Sequence, residues 1–421
     1  MFFVSFIIAN PVSQFYIYNE IAADYGVKDF VKQDERPCDN SSALDNTTIA
    51  IQKEASQEFI YLALTSALPS FIPTLFLGSI ADKYSRKLAL MLCFTGLLIK
   101  NILYVIVIEA KLSFRLFYLA NAIEGLSGYY GAVTMATFSI ITDITTPGKQ
   151  RALRISIMEG ITASSLATAQ LLTGIVIKYI NFIYPMLFAT LSCVLGMIFC
   201  ILFIPDTLRG QRMPLLKTCY FRYILRSFQF YFKETPTNRR GKLILLLFIL
   251  FLTFAAGFGT TATNSLFLFN KPFCWSELHY TIFEFTRTII RWICSVLTVY
   301  SANRCIAQNK DIELIILGSL SYFTSYIVFG TSVESWMVYI SAVLGAVCLL
   351  SIPITRSIMS RLTKGDEQGS LFAGVSCIEM LSTSISSVMF GGIYKDTVAI
   401  YPGIAYLLMS GVFVVIIILA L

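Results

Sequence analysis

Apolar residues in this chain gather in long runs separated by shorter polar stretches. Each run reaches roughly 20 residues, the length an α-helix needs to cross the hydrocarbon core of a bilayer. The pattern predicts twelve such spans, over 1–20, 57–80, 88–109, 114–140, 153–179, 184–204, 242–269, 280–301, 312–331, 336–358, 370–394 and 403–421. The runs are too long and too uniformly apolar for barrel strands, which would alternate over short segments. Two connections are long, 21–56 after the first span and 205–241 after the sixth. The predicted fold is an all-α membrane protein with twelve transmembrane helices in two six-helix bundles. Residues 1–204 form one bundle and 242–421 the other, joined by the linker 205–241. Such a 6+6 layout is common among secondary transporters.

Composition agrees with this pattern. Of 421 residues, 56% are hydrophobic and 14% charged, whereas soluble domains carry about a quarter charged residues. That excludes a water-soluble enzyme, and the high hydrophobicity excludes a disordered chain. The net charge of +7 is a local feature: 205–242 holds 9 basic and 2 acidic residues, and the remainder holds 23 of each sign. This loop sets topology and is placed to touch anionic lipid, so no nucleic-acid surface is needed to explain the charge.

With the even-numbered connections in the cytosol, 19 Lys and Arg lie on that side, 9 lie opposite, and 4 lie within spans. This follows the positive-inside rule and puts both termini in the cytosol. Two acceptor sequons, Asn40-Ser41-Ser42 and Asn46-Thr47-Thr48, fall in the exterior 21–56 loop and are candidate glycosylation sites. Six cysteines (Cys93, Cys193, Cys200, Cys294, Cys348, Cys377) lie in spans, and Cys219 and Cys305 lie in cytosolic segments. Only Cys38 and Cys274 remain outside, so a disulfide there, if formed, joins these two; the alternative is two free thiols.

The loop between spans 2 and 3 reads Gly78-Ser79-Ile80-Ala81-Asp82-Lys83-Tyr84-Ser85-Arg86-Lys87. Gly78 permits close helix approach, Asp82 can answer a facing helix N-terminus or basic side chain, and Arg86-Lys87 follow. The arrangement resembles the conformational motif of the major facilitator superfamily; the plain alternative is an ordinary positive-inside turn.

Ionisable residues inside spans are costly and therefore informative. Glu159 lies in the cytosolic third of span 5 and is a candidate proton carrier, or the permanent partner of Arg154 or a neighbouring helix. Arg356 follows Pro353 by three residues in span 10, pairing a fixed charge with a predicted proline kink. Arginine grips carboxylate or phosphate bidentately, and snorkelling to the surface is the structural alternative. Glu284, Arg287 and Arg291 share one face of span 8, leaving excess positive charge to attract an anion or to be compensated by Glu379 or Glu124. Lys100 in span 3 poses the same question. The single histidine, His279, is read as a solvated loop residue, with a pH-sensing role as the alternative.

Several stretches together resemble the solute carrier 46 family: 14–18 in span 1, Gly78 to Lys87, 140–159, Lys271-Pro272-Phe273-Cys274-Trp275, Pro353-Ile354-Thr355-Arg356 and Glu367 to Phe372. The resemblance implies a proton-coupling glutamate at Glu159, a substrate-associated arginine at Arg356, and a disulfide between Cys38 and Cys274. The folate-carrying branch has an acidic residue in span 4 where this chain has Tyr129, and a span 7 histidine near Gly257 that this chain lacks. The expected function is thus a secondary active transporter of organic anions (folate-like, cyclic dinucleotide, muropeptide or conjugated solutes), proton-coupled and working by alternating access. Arg356, Arg287 and Arg291 would bind substrate, with the proton as co-substrate. An uncoupled facilitator and a non-transporting receptor or adaptor on the same fold are the rivals. No nucleophile elbow, P-loop or metal-spaced cluster is present, so neither an enzyme nor a cofactor or metal site is expected. The expected location is the plasma membrane or an endolysosomal membrane. Met1 opens directly into span 1 and Leu421 closes span 12, as a fragment, an alternative start or a divergent gene model would produce.

Overall fold

A computed structural model describes residues 1–26, 46–144, 149–206, 239–259, 263–305, 311–363 and 368–421, and these form helices and short connections with no strands. Nine predicted spans are single helices: Phe2–Asp24, Asn46–Lys83, Arg86–Glu109, Lys149–Tyr179, Ile183–Phe203, Glu277–Cys305, Asp311–Gly330, Gln368–Thr397 and Ile404–Ala420. These are spans 1, 2, 3, 5, 6, 8, 9, 11 and 12. Span 2 begins well before the apolar run, so the exterior loop is shorter than its polar stretch implied, and Asn46 opens the helix.

Eight helical stretches among the described residues are long and apolar enough to cross a membrane by length and composition alone. The others fall short for local reasons. Span 1 is diluted by Asn10, Gln14 and Asn19, span 8 carries Glu277, Glu284, Arg287 and Arg291, and span 12 has 17 helical residues. Span 4 is split.

Spans 4 and 10 depart from the expected continuous rods, and span 7 is described on either side of residues 260–262, which lie outside the described residues. Span 4 consists of Leu116–Leu126 and Tyr129–Ile144, and span 7 of Arg239–Phe258 and Thr263–Phe269. Span 10 consists of Ser335–Leu344, a short 3₁₀ turn at Cys348–Leu350, and Ser351–Arg361. The expected kink at Pro353 is corrected: Pro353 sits in the first turn of its helix, where no amide hydrogen bond is lost. The interruption lies upstream, at 345–350.

Spans 1–6 pack on one another, as do spans 7–12, and the halves meet along spans 2 and 11 and spans 5 and 8. Taking sides from the sequence assignment, the exterior end of this interface is closed by a polar and aromatic layer. Gln52 of span 2 donates to the Leu266 carbonyl at 3.3 Å and accepts from Tyr394 at 3.0 Å. Ser56 donates to the Gly391 carbonyl, and Lys395 to Gln57. Phe15 and Tyr18 of span 1 meet Phe269, with Tyr280 of span 8 alongside. His279 belongs to this end too, and it is not simply solvated: it stacks on Trp275 at 4.1 Å and bonds Tyr339 at 2.9 Å.

The interruption of span 4 depends on two glycines. Gly128 has φ of +102°, a conformation that costs an L-residue free energy. Gly125 lies so close to the Ser66 carbonyl of span 2 that a side chain there would meet backbone. Replacing Gly128 by alanine is expected to destabilise the protein by about 1–3 kcal/mol. Thermal unfolding of the detergent-solubilised variant measures this, and an unchanged midpoint contradicts the described break.

Candidate functional site

Span 4 and span 10 are the fourth helices of their respective halves, and both are broken near the middle. Interruptions at corresponding positions of two repeats point to a transport site, because freed backbone groups and helix ends gather there. The leading half-helices, Leu116–Leu126 and Ser335–Leu344, reach about 16 and 15 Å at 1.5 Å per residue, half the thickness of the hydrocarbon core. Each ends in the interior at its negative pole, where local amides close part of the last turn: Ser127 and Gly128 bond the Glu124 and Gly125 carbonyls, and Gly345 and Ala346 those of Ser341 and Val343. Short hydroxyl side chains also bond carbonyls at each break. Ser127 bonds the Glu124 carbonyl at 2.7 Å and Thr74 the Gly128 carbonyl at 3.1 Å. At span 10, Ser325 bonds the Ser341 carbonyl at 2.7 Å, and Ser321 bonds that of Leu344.

A buried cation stands beside each break. At span 4 it is Lys100 of span 3, whose ammonium contacts Glu124 at 2.8 Å with both side chains almost fully buried. At span 10 it is Arg291 of span 8. Its guanidinium lies 5.9 Å from the centre of the Tyr322 ring and is enclosed with Tyr326 and Cys348. Gly345, the residue that ends the half-helix, approaches the same guanidinium closely enough that a Cβ there would crowd it.

The two sites differ in charge. Glu124 neutralises Lys100, whereas Arg291 forms no ion pair among the described residues, and its Nε has no hydrogen-bond acceptor. The carboxylate nearest in sequence, Glu284, is committed to Arg287 at 2.5 Å and accepts from Asn264 at 3.3 Å. Asn264 in turn accepts from Tyr406 at 3.1 Å. Among the described residues Arg291 is thus a buried cation without an ion pair, set beside the half-helix end, the tyrosines and Cys348, with Glu284 acting on it at longer range.

Arg356 finds its carboxylate partner within its own bundle. Its Nε donates to Glu379 of span 11 at 3.1 Å, and its guanidinium lies 5.6 Å from the Phe138 ring of span 4 and 5.8 Å from that of Phe254. Sequence reasoning offered Glu379 and Glu124 as partners for the span 8 arginines; the structure gives the first to Arg356 and the second to Lys100. Arg356 does not snorkel. The pairing of Arg287 with Glu284 on one helix face is as the spacing anticipated.

Glu159 lies in the helix Lys149–Tyr179, one residue before Gly160. Gly160 packs against the indole of Trp292, the neighbour of Arg291, so this turn of span 5 faces the arginine-bearing turn of span 8. The Glu159 and Asp82 side chains lie outside the described residues, as do Cys38 and Asn40; Asn46 is described only as a helical position. Arg154 is exposed. Cys274 is disulfide-bonded, with φ of +48°. In the turn motif, Gly78 is buried, Arg86 donates to the Ser139 carbonyl late in span 4, and Lys87 donates to the Ile201 carbonyl late in span 6 at 2.6 Å. The basic pair thus caps the negative ends of two helices of the first bundle.

Reasoning from the sequence did not find the Tyr322, Tyr326 and Cys348 cup, nor the Lys100–Glu124 pair as a unit. Gly125, Gly128 and Gly345 inside apolar runs were the available signals.

The comparisons agree with this architecture. Residues 1–308 match the family model of the Major Facilitator Superfamily. The lysosomal proton-coupled steroid conjugate and bile acid symporter of Gallus gallus is 27% identical over 410 residues, covering 95% of this chain and 87% of the relative. The proton-coupled folate transporter of Bos taurus is 21% identical over 405 residues, covering 96% and 86%. Both are solute carrier 46 proteins, as the resemblance indicated. Among solved structures, a human organic anion transporter superposes with a TM-score of 0.72 at 14% identity, covering 100% of this chain and 96% of its own. A POT family transporter in complex with a thioalcohol-conjugated peptide superposes at 0.63, with 15% identity and coverage of 99% and 93%. Twelve spans in two halves, breaks at matching positions and a match over most of the chain lead to one conclusion: this is a multi-pass membrane transporter, and the chain belongs to the Major Facilitator Superfamily.

Proposed function

We propose that the protein is a proton-coupled symporter of amphipathic organic anions, with the break of span 10 as its anion site. The observation that carries this reading is Arg291, a buried guanidinium without a carboxylate partner among the described residues. Keeping an unanswered cation inside a membrane protein is costly, and an anionic solute would relieve that cost. Tyr322, Tyr326, Phe283 and Tyr406 around Arg291 and Arg287 provide apolar faces with polar tips. This chemistry suits a large apolar body carrying one acid group better than a sugar. The relatives named as carriers of steroid conjugates, bile acids and folate agree in kind.

Glu159 supplies the coupling proton in this reading, and its turn of span 5 abuts Trp292, so its protonation is felt across the moving interface. Arg356 serves as a second cation, released from Glu379 when substrate competes for it. Pro353 starts the lower half of span 10, while Gly78, Asp82, Arg86 and Lys87 brace the first bundle as it tilts. The 1–204 and 242–421 halves move as the two rocking bodies, tied by the 205–241 linker on the cytosolic side. Both termini share that side, and an endolysosomal membrane is the favoured location, in keeping with the lysosomal relatives. On the exterior face Cys38 is the partner of Cys274, and Asn40 and Asn46 carry glycans.

Uptake of tritiated taurocholate and folate by vesicles, with and without an inward proton gradient, tests the function. Accumulation of either solute only under the gradient is expected, and binding without flux contradicts it. Glu159→Gln is expected to lower gradient-driven accumulation while leaving solute exchange in place; unchanged accumulation removes Glu159 from the mechanism. Non-reducing peptide mapping is expected to recover a Cys38–Cys274 peptide, and glycosidase treatment to lower the apparent mass. Recovery of free Cys38 contradicts the bridge.

A further inference from the structure

The Lys100–Glu124 pair is not used by the reading above, and four features set it apart from an ordinary structural ion pair. Glu124 sits in the last turn of the half-helix Leu116–Leu126, whose negative end favours the Lys100 charge and opposes its own. One carboxylate oxygen, Oε2, accepts from Lys100, and the other, Oε1, is buried with no hydrogen-bond partner. The chain immediately beyond is strained, since Tyr129 adopts φ of +54°, unusual for a bulky residue. And Tyr130, the next residue, reaches the other bundle, facing Thr383, Glu379 and Arg356. Met380, the neighbour of Glu379, packs against Gly131 and accepts from Thr74 of span 2.

The groups facing the pair are otherwise neutral. Span 1 presents Phe6, and span 3 presents Tyr104 and Cys93. Span 4 presents Tyr129. Span 6 presents Cys193. Span 2 contributes the Ser66 backbone at Gly125. The Met1 amino group acts on Cys193 and not on the carboxylate, so Lys100 is the one cation in contact with Glu124 among the described residues.

We propose that Glu124 is a second proton-carrying site, whose protonation resets the break of span 4 and is felt through Tyr129 and Tyr130 at the Arg356–Glu379 pair. A proton from the aqueous phase binds Oε1, and the carboxyl becomes neutral. The Lys100 ammonium then rests on the half-helix carbonyls and the Phe6 and Tyr104 faces, as Arg291 rests at the matching break of span 10. The same proton leaves to the other side when the carboxylate recovers Lys100. Glu124 touches no solute in this scheme; it is a positioning residue that biases how span 4 seats against span 11.

The inference rests on the proton-coupled reading, and the experiment separates the two. Purified protein is reconstituted in liposomes with the membrane potential clamped at zero, and the plateau accumulation ratio of tritiated taurocholate is measured. Across a gradient of about one pH unit, each coupled proton multiplies that ratio by about tenfold. Glu124→Gln is expected to lower the plateau by about tenfold per pH unit while taurocholate exchange without a gradient proceeds within about twofold of wild type. A merely structural pair predicts slower exchange and an unchanged plateau, which overturns the proposal. Should the single variant not reconstitute, Lys100→Gln/Glu124→Gln, which leaves no uncompensated charge, is read the same way. The wild-type protein gives an independent readout: its plateau must rise more steeply with the gradient than a single proton allows, and a single-proton slope overturns the proposal. A wild type that ignores the gradient removes the proton-coupled reading and this inference together.

Discussion

A charge inside a bilayer has to be answered from within the protein, and the supply of answers there is small. Water is absent, so carboxylates, helix ends, hydroxyls and aromatic faces must serve. Lys100, Arg287, Arg291 and Arg356 are the basic residues inside the spans, and each draws on a different combination of these. Lys100 and Arg356 take a carboxylate from a neighbouring helix, Arg287 takes one from its own helix, and Arg291 takes none among the described residues. The arrangement of helices around these four side chains follows from those choices.

Breaking spans 4 and 10 is part of the same solution. A continuous helix satisfies every backbone group internally and offers an interior cation nothing. Interrupting the helix exposes a negative end at mid-depth, and the two halves place a cation at each such end. The halves then diverge: among the described residues the first keeps a carboxylate beside its cation, and the second does not. An alternating-access carrier needs a site that is unsatisfied when empty, because the solute must supply differential free energy to the two arrangements of the bundles. The layer of Gln52, Tyr394, Phe15 and Phe269 closes one end of the interface between the halves.

Much of this was legible in the sequence. Long apolar runs fix the number and placement of spans because the bilayer imposes a length. The i, i+3 spacing of Glu284 and Arg287 predicts their contact because a helix puts such residues on one face. The breaks were harder to see: Leu, Ile and Val continue through them, and only Gly125, Gly128 and Gly345 mark the positions. Pro353 drew attention to the wrong residue, since proline at a helix start costs nothing. Which carboxylate serves which cation is a question of helix packing, so Glu379 and Glu124 could not be assigned from linear order. His279 looked solvated for the same reason, as its partner Tyr339 lies 60 positions away.

The account stands on the unanswered charge of Arg291. Equilibrium binding of tritiated taurocholate to the purified protein, compared between wild type, Arg291→Lys and Arg291→Gln, tests it most directly. Loss of a charge-assisted contact of about 1.5–3 kcal/mol weakens binding by about 10–150-fold. Arg291→Gln is expected to show that loss while unfolding no earlier than wild type, because an empty buried charge is removed; Arg291→Lys retains part of the affinity. Equal affinity in wild type and Arg291→Gln would contradict the account.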